Sequence, residues 1–194
     1  MTSRVTLITP ATNPSLRQAR FDDGATSLDN TGALHARAAA GSLPSAARLV
    51  TSPSARCRET AAALGLAVKA SGAGPAGLDA GRWRGRALDE VGRAEPEALG
   101  EWLADPSSAP HGGESVKELC ERVARWLDAV AQSDGRTLAV VEPDVVRAAV
   151  VHVLGAPLAS FWRADVLPLT ATELSGRAGR WNVRLGHPLR PQES

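Results

Sequence analysis

Arg4-Val5-Thr6-Leu7-Ile8-Thr9-Pro10-Ala11-Thr12-Asn13 is the stretch from which the fold is read. Val5, Leu7 and Ile8 are apolar and partly β-branched, which suits a short strand buried in a sheet. Pro10 has no N–H to give a neighbouring strand, so the strand is predicted to stop near Thr9. In open α/β folds ligands bind at the carboxyl ends of strands, and residues 9–13 are therefore the first place to look for chemistry. What stands there is quiet: a hydroxyl on Thr9, a proline, an alanine and the weak Thr12.

Outward from this strand the pattern alternates. Residues 14–31 are polar and read as a loop crossing the sheet's carboxyl end. A helix is predicted over 32–43, stopped by Pro44. Arg48 to Thr51 reads as a second strand. Ser52-Pro53-Ser54 caps a helix over 54–65 that ends at Gly65. Residues 67–70 read as a third short strand and 71–82, rich in Gly, Ala and Pro, as loop. Two short helices broken near Pro96 are expected over 86–104, then a loop over 105–113. Val116, Leu119, Val123, Trp126, Leu127 and Val130 recur at helix spacing within 114–131. Leu138 to Val141 is wholly apolar and reads as a central buried strand. Pro143 suits the first turn of a helix running to about Leu154. Strands over 166–173 and 180–185, joined by a turn at 176–179, close the chain. Alternating strands and helices imply a three-layer α/β sandwich with a mostly parallel central sheet and helices on both faces.

Composition narrows the function. The chain has 194 residues, 43% hydrophobic and 22% charged, with a net charge of +1, so one domain over 1–194 with a substantial core is expected. There is no basic field for nucleic acid, and no apolar run long enough to span a bilayer. Cys57 and Cys120 are too far apart for a zinc pair or a disulfide scaffold. His35, His111, His152 and His187 show no metal-ligand spacing. The expectations are a cytoplasmic address, no metal, no cofactor, no nucleic-acid or membrane partner, and a small-molecule ligand.

The segment order and local motifs resemble the histidine phosphatase superfamily, the phosphoglycerate-mutase-like fold, over nearly the whole chain. Ser52-Pro53-Ser54-Ala55-Arg56-Cys57-Arg58-Glu59-Thr60-Ala61 looks like its S-P-x-x-R-x-x-x-T-A run, which brings a phosphate-binding arginine to a helix start and falls here on Arg56. Gly81-Arg82-Trp83-Arg84-Gly85 looks like its G-x-W-x-G signature, and Gly112-Gly113-Glu114-Ser115 like its G-G-E-S helix entry. Dimers are common among similar proteins, so a homodimer is also expected. The departures weigh more. The family's first strand ends in Arg-His-Gly, whose His takes the phosphoryl group; the matching positions here are Thr9, Pro10 and Ala11. The general acid falls on Gly77, with Asp79 two residues away, and the second catalytic histidine falls on Glu142. Proline cannot form the covalent intermediate, and a carboxylate at 142 would repel a phosphate. Two like charges at about 4 Å and an effective dielectric near 20 repel by roughly 4 kcal/mol.

The resemblance therefore implies a degenerate member that binds a small anionic or carbonyl-bearing ligand in the old cleft. The alternative is a repurposed enzyme for dehydration, isomerisation or hydrolysis, with catalytic residues Glu142 as acid or base and Arg56 as hook. A residual phosphatase ranks last. Thr9, Arg17, Arg56, Arg82, His111 and Glu142 are the expected ligand contacts, with Arg20 and Trp83 near the rim. Arg56 is either an anion hook or a structural partner of Glu142. Glu142 is either a proton carrier or a salt-bridged carboxylate capping the helix at Pro143. Asp79 is a replacement acid or a solvated loop residue, Cys57 a lowered-pKa thiol or a packing residue, and His152 a buried histidine.

Overall fold

The computed structural model describes residues 2–68, 74–133, 135–177 and 180–190. Among them run the strands β1 (Ser3–Ile8), β2 (Arg48–Thr51), β3 (Arg136–Val140), β4 (Thr170–Arg177) and β5 (Arg180–Pro188). The helices are α1 (Pro14–Arg17), α2 (Asn30–Ala38), α3 (Ala55–Ala63), α4 (Leu88–Ala94), α5 (Pro96–Ala104), α6 (Val116–Ala131) and α7 (Pro143–Leu154). The sheet order is β2-β3-β1-β4-β5. β1, β2 and β3 are parallel, while β4 and β5 are antiparallel additions on one side, so the sheet is mixed.

Side-chain alternation along the buried strands decides which helix covers which face. Val5, Leu7 and Ala139 pack with Leu119, Val123 and Leu127 of α6 and with Val145, Ala148 and Val151 of α7. Ile8, Leu138 and Val140 point the other way, onto Ala39 after α2 and onto Cys57 and Ala61 of α3. Both faces are covered, as the three-layer expectation required. A third cluster, Trp83, Val91 and Trp102 with Phe21, Leu78 and Trp162, sits beyond the strand ends. Among the described residues no helix is long and apolar enough to cross a membrane.

Register then places the chemistry. Ile8 and Thr51 both stand opposite Val140, so the three parallel strands finish level. Residues 9–11, 52–56 and 141–142 emerge side by side, and α3 and α7 start there with Ser54 and Glu142 at their N-cap positions.

Several expected boundaries move for local reasons. The 14–31 loop contains α1, capped by the Asn13 carbonyl accepting from the Leu16 N–H at 2.9 Å. α2 starts at Asn30 because Asp29 accepts from the Gly32 N–H at 2.6 Å, and ends at Ala38, short of Gly41 at φ +79°. Ala67 and Val68 join no strand; the rest of the expected 67–70 strand lies outside the described residues. β4 begins at Thr170, not 166, because Leu169 at φ +50° breaks the extended run. The expected closing turn lies partly outside the described residues, and β4 already occupies 176–177.

Truncating Leu127, which is fully buried between α6 and the sheet, leaves a cavity. Leu127→Ala is expected to lower stability by about 2–5 kcal/mol in urea unfolding. Leu185→Ala, at a position 60% exposed, changes it by no more than about 0.5 kcal/mol.

Candidate functional site

A buried ion pair occupies the meeting point of the strand ends. Arg56 is 7% exposed and Glu142 2%. The Arg56 Nε–H donates to Glu142 Oε1 at 3.0 Å, and its Nη2 donates to Oε2, so the contact is bidentate. The Ser54 hydroxyl donates to the same Oε1 at 2.6 Å, and the Cys57 thiol approaches it at 3.3 Å. Two charges removed from water persist only where they are paired and hydrogen-bonded, and both conditions hold here.

Local structure explains the convergence. Pro143 takes the first helical position of α7, where an N–H would be unpaired anyway. Glu142 sits at the N-cap position, but its carboxylate makes no cap bond. This corrects the capping role expected from sequence: the side chain turns to Arg56 instead, and the Asp144 carboxylate accepts from the Val145 N–H at 2.8 Å. Ser54 caps α3 by accepting from the Cys57 N–H at 3.3 Å, which leaves its own hydroxyl proton for Glu142.

A cleft of about 350 Å³ opens beside the pair, walled by Asp22, Asp23, Gly24, Pro53, Ser54 and Glu142 and by Ala76, Gly77, Leu78 and Arg84. Asp22 Oδ1 lies 3.9 Å from Arg56 Nε and is a buried oxygen without a hydrogen bond. Burial, and then repulsion from Glu142, raise the Asp22 pKa against the pull of Arg56. Burial, and then Glu142, push the Cys57 thiol well up, which makes it a packing residue and not an activated nucleophile. A groove of about 910 Å³ adjoins the cleft, sharing Ala76, Gly77 and Arg84 and reaching Glu118, Arg122 and Trp126 of α6. Among the described residues no His/Cys/Asp/Glu group could hold a metal ion.

The structure takes four expected ligand contacts out of this cleft. Thr9 is 1% exposed, and its hydroxyl is engaged with Leu167 and Thr170 at 2.7–3.2 Å, so it ties β1 to β4. Arg17 is bound to Asp29 at 2.6 Å, at the start of α2. Arg82 is bound to Glu95 and to the Pro110 carbonyl. His111 is 1% exposed, at 4.9 Å from the Trp83 ring and 5.9 Å from that of Trp102. Its Nδ1 accepts from the Gly113 N–H at 3.0 Å, and burial lowers its pKa. Trp83 is wholly buried beside it, and Arg20 donates to Gln18 and the Gly85 carbonyl. Asp79 accepts from the Gly81 N–H and pairs with Arg84 at 3.0 Å, in the groove and not the cleft. His152, expected to be buried, is exposed in the last turn of α7. No histidine among the described residues lines the cleft.

Asp22, Asp144 and Arg122 are residues that sequence reasoning missed, and for Ser54, read correctly as a helix cap, it missed the bond to Glu142. Ser54 and Asp144 carried a usable signal, since each stands at or just inside a helix start. Asp22 and Arg122 carried none, because loop and helix-face charges look alike in sequence.

The model of the histidine phosphatase superfamily (branch 1) matches residues 13–186. The chain belongs to that superfamily. Phosphoserine phosphatase 1 of Hydrogenobacter thermophilus is 33% identical over 88 residues, which are 44% of this chain and 42% of that protein. The chain thus spans under half the length of that curated relative, and 18% of a Mycobacterium tuberculosis bifunctional protein that is 38% identical over 64 residues. Two solved structures share the fold. A mycobacterial glucosyl-3-phosphoglycerate phosphatase has a TM-score of 0.81 at 22% identity, covering 98% of this chain and all of that one. The α-ribazole phosphatase of Shigella flexneri has a TM-score of 0.83 at 18% identity, covering 98% and 99%.

Removing one partner of the pair strands the other in the interior. Arg56→Met and Glu142→Leu are each expected to cost about 3–5 kcal/mol, and the double variant far less than their sum. A double-mutant cycle in urea with no coupling between the two sites would contradict the pairing.

Proposed function

We propose that this chain is a histidine-phosphatase-fold protein that no longer uses a phosphohistidine intermediate and keeps the cleft as a small-molecule binding site. The observation that carries the proposal is the closed Arg56–Glu142 pair. The arginine edge that would face a phosphate already faces a carboxylate on both Nε and Nη2. Thr9, Pro10 and Ala11 follow β1 where the family motif carries Arg-His-Gly, and none of them offers a nucleophilic imidazole.

Charge refines the ligand class. Asp22 and Asp23 join Glu142 in the cleft wall, and the basic residue of that wall, Arg84, is paired with Asp79. An anion entering there meets carboxylates and no uncommitted cation. An uncharged ligand bearing carbonyl or hydroxyl groups fits better than the anionic one that the resemblance suggested. A repurposed enzyme would use Glu142 to move a proton, but both oxygens of that carboxylate are already engaged by Arg56 and Ser54.

The mycobacterial phosphatase of the same fold was solved with VO3 and with inorganic phosphate, so these two anions are the probes. Wild-type protein is expected to bind neither by isothermal titration calorimetry, and to show no turnover of a generic phosphomonoester. Glu142→Ala removes the competing carboxylate and is expected to raise vanadate affinity by up to about a thousandfold, the equivalent of about 4 kcal/mol. Metabolites captured from cell extract should be lost in Glu142→Ala and Arg56→Ala. Phosphomonoester turnover that disappears with Arg56→Ala would instead establish a residual phosphatase.

A further inference from the structure

One face of the sheet continues beyond the helices that cover it. Ile8 packs toward α3, so Thr6 and Arg4 point the same way. Register carries that face across the sheet. Arg136 of β3 and Ser175 of β4 stand opposite Arg4, and Asn182 of β5 stands opposite Ser175. On the same side Arg184 lies opposite Glu173, and Arg180 opposite Arg177. α3 lies over β2 and β3. Over β4 and β5 the face is open, with Arg177, Arg180, Asn182 and Arg184 exposed.

The charge there is one-sided. In a chain of 22 basic and 21 acidic residues, these strand positions bring Arg4, Arg136, Arg177, Arg180 and Arg184 together against Glu173 alone. Glu173 is shared between Arg184 at 3.9 Å and His187 at 3.8 Å. Arg4, Arg136, Arg177 and Arg180 have no ion pair or side-chain hydrogen bond among the described residues. Register also sets like charges directly against each other, Arg4 against Arg136 and Arg177 against Arg180. Such pairs destabilise a sheet, and a bound anion between them would reverse that penalty.

The surface is also hollowed. A cavity of about 350 Å³ has Arg4, Arg136 and Arg184 in its wall. A second, of about 520 Å³, has Arg177 and Arg180. The two meet at Ser175 and Asn182, which belong to both walls. Two residues of strand separate the arginine rows, about 7 Å, and β1 and β5 are two strand spacings apart, about 10 Å. The arginines thus form two groups with neutral hydrogen-bonding side chains between them.

We propose that this sheet face binds a small soluble polyanion, a molecule with several phosphate groups in a row. One end lies between Arg4 and Arg136, the other between Arg177 and Arg180, and Ser175 and Asn182 donate to the middle. Guanidinium groups suit phosphate because they donate two parallel N–H bonds. Adjoining hollows favour a compact ligand over a membrane surface. A single-stranded nucleic acid would need aromatic rings for its bases, and the Trp181 ring packs into the core on the opposite face. Arg4 and Arg136 stand at the starts of β1 and β3, whereas the cleft lies at the strand ends. The site therefore does not depend on how the cleft is used.

Tripolyphosphate is the probe, and amide chemical shifts locate it. Its addition to the wild-type protein is expected to move the Ser175 and Asn182 amide signals and to leave Leu78 of the cleft wall in place. Added sodium chloride is expected to weaken the binding, because the arginines are open to screening. Inorganic phosphate at the same concentration, with one group to offer, is expected to move neither signal. The double variant Arg4→Gln, Arg136→Gln is expected to bind tripolyphosphate about ten- to a hundredfold more weakly. Absence of shifts at Ser175 and Asn182, shifts at Leu78 in their place, equal binding of phosphate, or unchanged affinity in the double variant overturns the site. So does a single-stranded oligonucleotide or an anionic phosphatidylserine vesicle that moves Ser175 and Asn182 where tripolyphosphate does not. The wild-type titration decides the matter even if the variant does not fold.

Discussion

The Arg56–Glu142 pair is the contact around which the strand ends are arranged. Neither charge could stay in so dry a place without the other. The pair in turn depends on groups from two helix starts: Ser54 at the start of α3 donates its hydroxyl, and α7 presents the accepting Glu142 from its N-cap position. Parallel pairing of β2 and β1 with β3 brings those helix starts together, because the three strands end at the same level. The ion pair is thus a product of topology first and of side-chain chemistry second. It adds little net stability over an apolar replacement, but it penalises any arrangement that separates its members. That asymmetry fixes the cleft's shape more firmly than it stabilises the fold.

Much of the architecture was legible from residue pattern. The apolar run at 138–141 and the helix spacing of 116–130 identified a central strand and its covering helix, because burial on both faces or on one stripe leaves a periodic trace. Pro96 and Pro143 marked helix starts through a missing N–H. The failures were of a different kind. His111 looked like a rim residue beside a glycine pair, yet its ring packs into an aromatic cluster assembled from Phe21, Trp83, Trp102 and Trp162, which lie far apart in sequence. Thr9 stood at a strand end but turned its hydroxyl to Leu167 and Thr170. Arg17 and Arg82 found carboxylates nearby. A polar residue near a cleft in sequence is claimed by whichever partner is nearest in space, and that partner has no local signature.

The site was legible in its members but not in its geometry. Motif spacing pointed to Arg56, and the end of an apolar strand pointed to Glu142. That the two would close on each other through both guanidinium donors, with Ser54 completing the carboxylate's bonds, needed coordinates. So did Asp22, whose buried Oδ1 has no hydrogen bond. Its carboxylate gives the cleft an acidic wall, although the chain as a whole is close to neutral.

Gly77 and Glu142 are best understood as one steric unit. Any side chain at 77 begins 2.9 Å from Glu142 Cγ, closer than real Cβ contacts come. A carboxylic acid at 77 would also bring a third negative charge against Glu142 and Asp144, in a region where Arg56 already serves Glu142 and Arg122 serves Glu114. A carboxylate at 142 and a general acid at 77 therefore exclude each other on volume and on charge. In the proposed reading, loss of the acid is not a separate event from gain of Glu142. With a carboxylate in front of Arg56, position 77 of the loop over it has no room for a side chain, and its backbone lies against the start of α7. In that position the Leu78 N–H meets Asp144.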